Sequence, residues 1–151
     1  MSRLRKILHL PATERWILIE AALVLESTRL GLKLLPFRTL RRLVDLLSKP
    51  ADESLVADQS YIDRIVWAVE LAGRHVPGTC LSRALAAQVL LTRRGHPALL
   101  HVGVGKERER FLAHAWLESG GRVVIGGHDL ERYTPLTTLE GKARNPRSRK
   151  V

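Results

Sequence analysis

The sequence predicts an α+β domain, with N-terminal helices followed by one helix packed on a small antiparallel sheet. Three observations carry this reading. Between residues 13 and 94 apolar side chains recur at helical spacing, and beyond Pro97 the period shortens from 3.6 to 2. The third observation is punctuation: Pro36, Pro50, Pro77-Gly78 and Gly120-Gly121 fall where one periodic run stops and the next begins. The order, helices first and strands after, is that of an α+β chain and not of alternating βαβ units.

Taken in order, residues 1–12 read as an irregular lead-in. A helix starts near Thr13 and runs to about Leu35, where Pro36 stops it. Its apolar positions, Ile17, Leu18, Ala21, Ala22, Leu25, Leu32 and Leu35 among them, cover more than one face. That pattern fits a helix packed on two sides, or one that docks a partner. Phe37 to Leu47 forms a second, Arg-rich helix, and 49–54 a linker. Asp58 to Arg74 forms a third helix. The fourth begins at Cys80 behind a Pro-Gly-Thr turn, with Thr79 as its cap, and ends near Arg93-Arg94-Gly95. Ala98–Val104, Phe111–Leu117 and Arg122–Ile125 read as strands, joined by a charged connection over 105–110 and a tight turn at Ser119-Gly120-Gly121. A last short strand falls around Tyr133–Leu136. By composition the chain divides into a helical region over 1–57, a core over 58–139 and a basic, disordered tail over 140–151.

With 151 residues, 45% of them apolar, the chain is long enough to bury a core of its own. A single cysteine allows no internal disulfide, which fits a reducing cytoplasm and leaves the thiol available. No signal peptide is read at the N-terminus. The most apolar stretch, Trp16 to Phe37, is broken by Glu20, Glu26, Arg29 and Lys33, so no transmembrane segment is expected. Lys and Arg total 25 against 15 Asp and Glu. The basic residues are scattered and only two Tyr and two Phe are present, so no base-stacking platform for nucleic acid is expected; the excess suits an acidic peptide better.

The chemistry gathers at Cys80. A cysteine in the first turn of a helix sits among unpaired N–H groups and at the positive end of the macrodipole, both of which favour the thiolate. Such a nucleophile needs a base, and His114, flanked by Ala113 and Ala115 in an alternating stretch, is the candidate. On a strand it shares a face with Leu112 and Trp116, against the helix or in a cleft. The imidazole needs an orienting partner, for which Asp129 is the nearest acid after the returning strand, with Glu131 as substitute; Glu118 is expected to face solvent. Gly126-Gly127-His128 is a place where a bulge would change that register. The Cys80 N–H supplies half of an oxyanion hole, the second donor being unassigned. Trp67 and Trp116 are candidate cleft walls and substrate-binding residues. Cys80, His96, His101, His114 and His128 lack a recognised ligand spacing, so no metal and no cofactor is expected.

The runs Cys80-Leu81-Ser82-Arg83-Ala84 through Arg93-Arg94-Gly95-His96-Pro97, His101-Val102-Gly103-Val104, Ala113-His114-Ala115-Trp116-Leu117-Glu118 and Val123-Val124-Ile125-Gly126-Gly127 carry a resemblance. Together they resemble the transglutaminase-like leader peptidases of lasso peptide biosynthesis, in the form of the stand-alone protease half of a split protein. The likeness is close over about residues 60–137. It implies a transglutaminase-like, papain-like fold and a cysteine endopeptidase with the triad Cys80, His114 and Asp129. It also implies a ribosomally made precursor peptide as substrate, cut at the leader–core junction, and an ATP-dependent lasso cyclase that closes the freed core. No β-rich module precedes residue 58, so a separate leader-recognition protein is expected as a further partner. Two alternatives stay open: an acyltransferase or transglutaminase that passes the thioester to an amine, and a noncatalytic peptide-binding protein with a buried Cys80.

Overall fold

A computed structural model describes residues 2–48 and 58–140. Among these residues five α-helices precede four strands: α1 Ser2–Leu8, α2 Ala12–Leu34, α3 Phe37–Leu47, α4 Gln59–Gly73, α5 Cys80–Thr92, then β1 Leu99–Glu107, β2 Arg110–Ser119, β3 Arg122–Ile125 and β4 Tyr133–Glu140. The strands form one antiparallel sheet in the order β3-β2-β1-β4. The architecture is the expected α+β one. The expected linker at 49–54 and the tail beyond residue 140 lie outside the described residues.

α5 is the centre of the packing. From Ala84 to Thr92 every residue is buried, which is why its apolar positions show little periodicity. α2 and α4 lie against it on one side, through Leu25, Ile62, Ile65 and Val69, and the sheet lies on the other, through Leu100, Ala115, Leu117 and Ile125. Gln88, fully buried in α5, ties the layers together. Its Nε2 donates to the carbonyls of Ala98 (3.1 Å) and Leu139 (2.9 Å), and its Oε1 accepts from Arg41 of α3 (2.7 Å). Burial holds the Arg41 guanidinium below its ordinary pKa, with Asp45 acting in the opposite direction.

Four expectations are corrected. Residues 2–8 are helical rather than irregular, because Ile7 and Leu10 pack against the core and anchor that turn. α2 is not packed on two sides: Ile17, Leu18, Ala21, Leu25 and Thr28 are buried, while Trp16, Ile19, Leu23, Leu30 and Leu34 on its other side are exposed. The charged connection at 105–110 shrinks to a two-residue turn at Arg108-Glu109, since Gly105, Lys106 and Glu107 pair with Leu112, Phe111 and Arg110. β4 runs to Glu140, well beyond Leu136. Its Pro135 is tolerated because β4 is an edge strand and the ladder slips a residue there, Val102 pairing with Thr137 but Gly103 with Pro135.

Candidate active site

Cys80 is the first residue of α5. Thr79 ahead of it is extended, and its hydroxyl accepts from the Ser82 N–H at 3.2 Å, so the helix starts where the sequence places it. This cap leaves the N–H groups of Cys80 and Leu81 without a hydrogen bond among the described residues. The open Leu81 N–H is a candidate for the second oxyanion donor that the sequence left unassigned. The cap geometry was the signal for it. Cys80 itself is half-buried against the main core.

His114 lies in the middle of β2, opposite Gly103 of β1. Alternation sends Ala115 and Leu117 into the helix-packed core, whereas Trp116, though buried, stands apart from that core. His114 therefore lies with Trp116 on the sheet face away from α5, in a second, aromatic cluster, and not against the helix as the alternation alone allowed. Its ring is 4.8 Å from that of Tyr133 and 6.0 Å from Trp116, which in turn stacks on His101 at 5.4 Å. His101 is held between Thr138 (2.9 Å) and Glu118 (3.2 Å), so Glu118 is engaged by an imidazole and does not simply face solvent.

The partner of His114 is the Gly126 carbonyl, 2.7 Å from Nε2. A carbonyl oxygen only accepts, so Nε2 carries the proton and the neutral ring presents a lone pair at Nδ1. That is the tautomer a base needs if it takes a thiol proton through Nδ1. Gly126 follows β3 directly and has φ of 73°, a left-handed conformation natural to glycine. A Cβ there would lie 2.7 Å from the Ala115 carbonyl oxygen and 3.3 Å from Trp116. Gly126 can thus press against β2 and aim its carbonyl at the ring. The Gly126-Gly127 pair was the sequence signal, read there only as a possible bulge; the irregularity falls instead one step earlier, where Leu117 pairs with Ile125 and Glu118 with Val123.

Asp129 sits three residues further on, with φ of 53°, at the start of a short 3-10 turn over Leu130–Arg132. Its carboxylate makes no hydrogen bond to His114 or to any other described residue. Among the described residues no hydrogen bond joins Cys80 to His114 either. Glu131 is exposed in the same turn. Arg132 is tied to Glu107 at 2.9 Å, which holds its guanidinium above the ordinary pKa and fixes the turn to the end of β1. Of the two tryptophans, Trp116 touches His114, while Trp67 lines a groove with Lys6, Ile7, Leu10 and Leu71 between α1 and α4.

The family model described as transglutaminase-like superfamily matches residues 22–138. The chain belongs to the transglutaminase-like superfamily. No curated protein and no solved structure matches it. The superfamily generally comprises cysteine peptidases and transferases, which agrees with the chemistry that a thiol, an imidazole and two open N–H groups can perform. The match begins inside α2, so the superfamily region takes in most of that helix together with α3, as well as residues 58–138.

Proposed function

We propose that the protein is a cysteine endopeptidase that removes the leader from a ribosomally made lasso precursor peptide. One observation supports the catalytic part most strongly. Nε2 of His114 is occupied by the Gly126 carbonyl, and this leaves Nδ1 as the ring's basic nitrogen. In the proposed reaction Nδ1 takes the thiol proton of Cys80 and Sγ attacks the scissile carbonyl. The N–H groups of Cys80 and Leu81 stabilise the oxyanion. The imidazolium then protonates the leaving amine, and water hydrolyses the thioester, releasing the leader's carboxylate and regenerating the thiol. The Gly126 carbonyl fixes the ring's orientation, and Asp129 follows it in the same loop as the acid of the proposed triad. Trp116 forms one wall of the cleft. The motifs around Cys80 and His114 are what point to a lasso precursor, and through it to a separate leader-recognition protein and an ATP-dependent cyclase as partners.

The test is mass spectrometry of a candidate precursor incubated with the protein and its recognition partner, wild type beside Cys80→Ala and His114→Ala. A single cut at the leader–core junction, gaining the mass of one water and vanishing in both variants, is the expected result. Cleavage that persists in Cys80→Ala would overturn the mechanism. A product that has lost ammonia or gained an amine in place of water would assign the chain to the transferases of its superfamily.

A further inference from the structure

The surface of α2 carries a feature that neither the superfamily nor the proposed peptidase explains. The helix is apolar on both sides. Ile17, Leu18, Ala21, Leu25 and Thr28 face the core, and the side directly opposite bears Trp16, Ile19, Leu23, Leu30 and Leu34, which are 71%, 50%, 65%, 44% and 76% exposed. At 100° per residue these five fall within an arc of about 60°, and at 1.5 Å per residue they form a ridge roughly 27 Å long. Leu8 of α1, 66% exposed, extends the ridge: it lines a groove together with Arg15, Trp16 and Ile19. Scattered exposed leucines need no explanation, but six large apolar side chains in one line do.

The charges beside the ridge indicate what covers it. The two acids that flank it are already neutralised: Glu26 by Arg29 at 2.6 Å, which lowers its pKa, and Glu20 by Arg93 at 3.0 Å. Arg15 and Lys33, one near each end, make no ion pair among the described residues. Residues 1–48 hold nine Lys and Arg against four Asp and Glu, within a chain of net charge +10. A second copy of the chain would bring the same positive charge and be repelled. A ridge of Trp, Ile and Leu with cationic side chains at its margins matches an anionic lipid surface, in which the apolar side chains sink to the acyl boundary and the Lys and Arg heads remain among the phosphates.

We propose that α2 lies flat on an anionic membrane surface and holds the protein there through this ridge. No helix of the described residues is long and apolar enough to cross a membrane, so the contact is with one leaflet only. The proposal is independent of the peptidase reading.

Flotation with phosphatidylglycerol-containing and with pure phosphatidylcholine vesicles at physiological salt tests it. The wild type is compared with Leu23→Gln/Leu30→Gln, whose sites are exposed enough to leave the fold intact; circular dichroism confirms that it does. The expected result is that the wild type floats with the anionic vesicles and not with the neutral ones. Binding should fall at least tenfold in the double variant, and tryptophan emission should shift to the blue on binding in the wild type but not in Trp16→Phe. Equal binding of the folded double variant would overturn the proposal, because basic residues elsewhere would then suffice. So would the absence of flotation, or a stable dimer in solution whose dissociation by the double substitution shows that a second copy covers the ridge.

Discussion

Replacing Gly126 by alanine should damage the candidate site and the fold together, by amounts that the backbone dictates. A left-handed φ costs a residue with a Cβ about 1–2 kcal/mol. The added methyl would stand 2.7 Å from the Ala115 carbonyl oxygen, inside contact distance and against backbone that cannot swing aside. Relieving such an overlap adds about 1–3 kcal/mol. The sum is about 2–5 kcal/mol, and at about 2–4 °C per kcal/mol for a domain of this size the melting temperature should fall by ~5–15 °C. Gly121→Ala is the control. Its φ is 77° but nothing lies within 4 Å of the new Cβ, so only the conformational cost applies and a drop of a few degrees follows. Relief of the clash must also shift the carbonyl that holds His114, so under the proposed function the activity in a precursor-cleavage assay well below the melting point should fall ~10-fold or more. Scanning calorimetry and a cleavage assay read both effects. Equal melting temperatures for the two variants would refute the packing argument; a destabilised Gly126→Ala with full activity would refute the role given to its carbonyl.

Three further outcomes are expected. Thr79→Ala removes the acceptor for the Ser82 N–H and should cost about 1 kcal/mol by urea unfolding, with slower alkylation of Cys80 as the frayed first turn loses its aligned N–H groups. Gln88→Leu keeps the volume but removes the donor to the Ala98 and Leu139 carbonyls and an acceptor for Arg41, so the unfolding free energy should drop by about 2–4 kcal/mol; an unchanged urea midpoint would show that the two carbonyls find other partners. Asp58 caps α4, and the Ser60 hydroxyl and then the Tyr61 N–H lower its pKa. A folded-state pKa below the unfolded one gives stability that is complete above about pH 4 and is lost as the pH falls through the folded value. The stability difference between wild type and Asp58→Asn should therefore shrink on acidification from pH 6 to pH 3, as followed by thermal melts.

Much of this architecture was legible in the sequence because local signals agreed. Pro36, Asp58 and Thr79 mark helix starts by chemistry that needs no tertiary context, and α3 and β3 begin and end where their periodicity does. The failures have a common cause. Lys106 and Glu107 look like loop residues, yet the charges simply project from a strand whose turn is the left-handed Arg108. The strand placed at Tyr133–Leu136 runs on to Glu140, because on an edge strand Pro135 does not end the ladder. α2 reads as doubly packed because an apolar side chain in sequence does not reveal which side finds a partner. At the site, Cys80 and His114 were visible by residue type, but a backbone carbonyl has no letter in the sequence. Looking for the first acid after the returning strand finds Asp129 and passes over Gly126.

That the acceptor for His114 is main-chain oxygen has a consequence for inheritance. A carboxylate can be lost through a single codon change, and it can be silenced by acid. The Gly126 carbonyl can be neither protonated in the physiological range nor deleted by any substitution at its own position; it can only be moved, by a residue that refuses the left-handed conformation. The requirement that would otherwise fall on an acidic side chain thus falls on a glycine that holds a φ of 73° against β2.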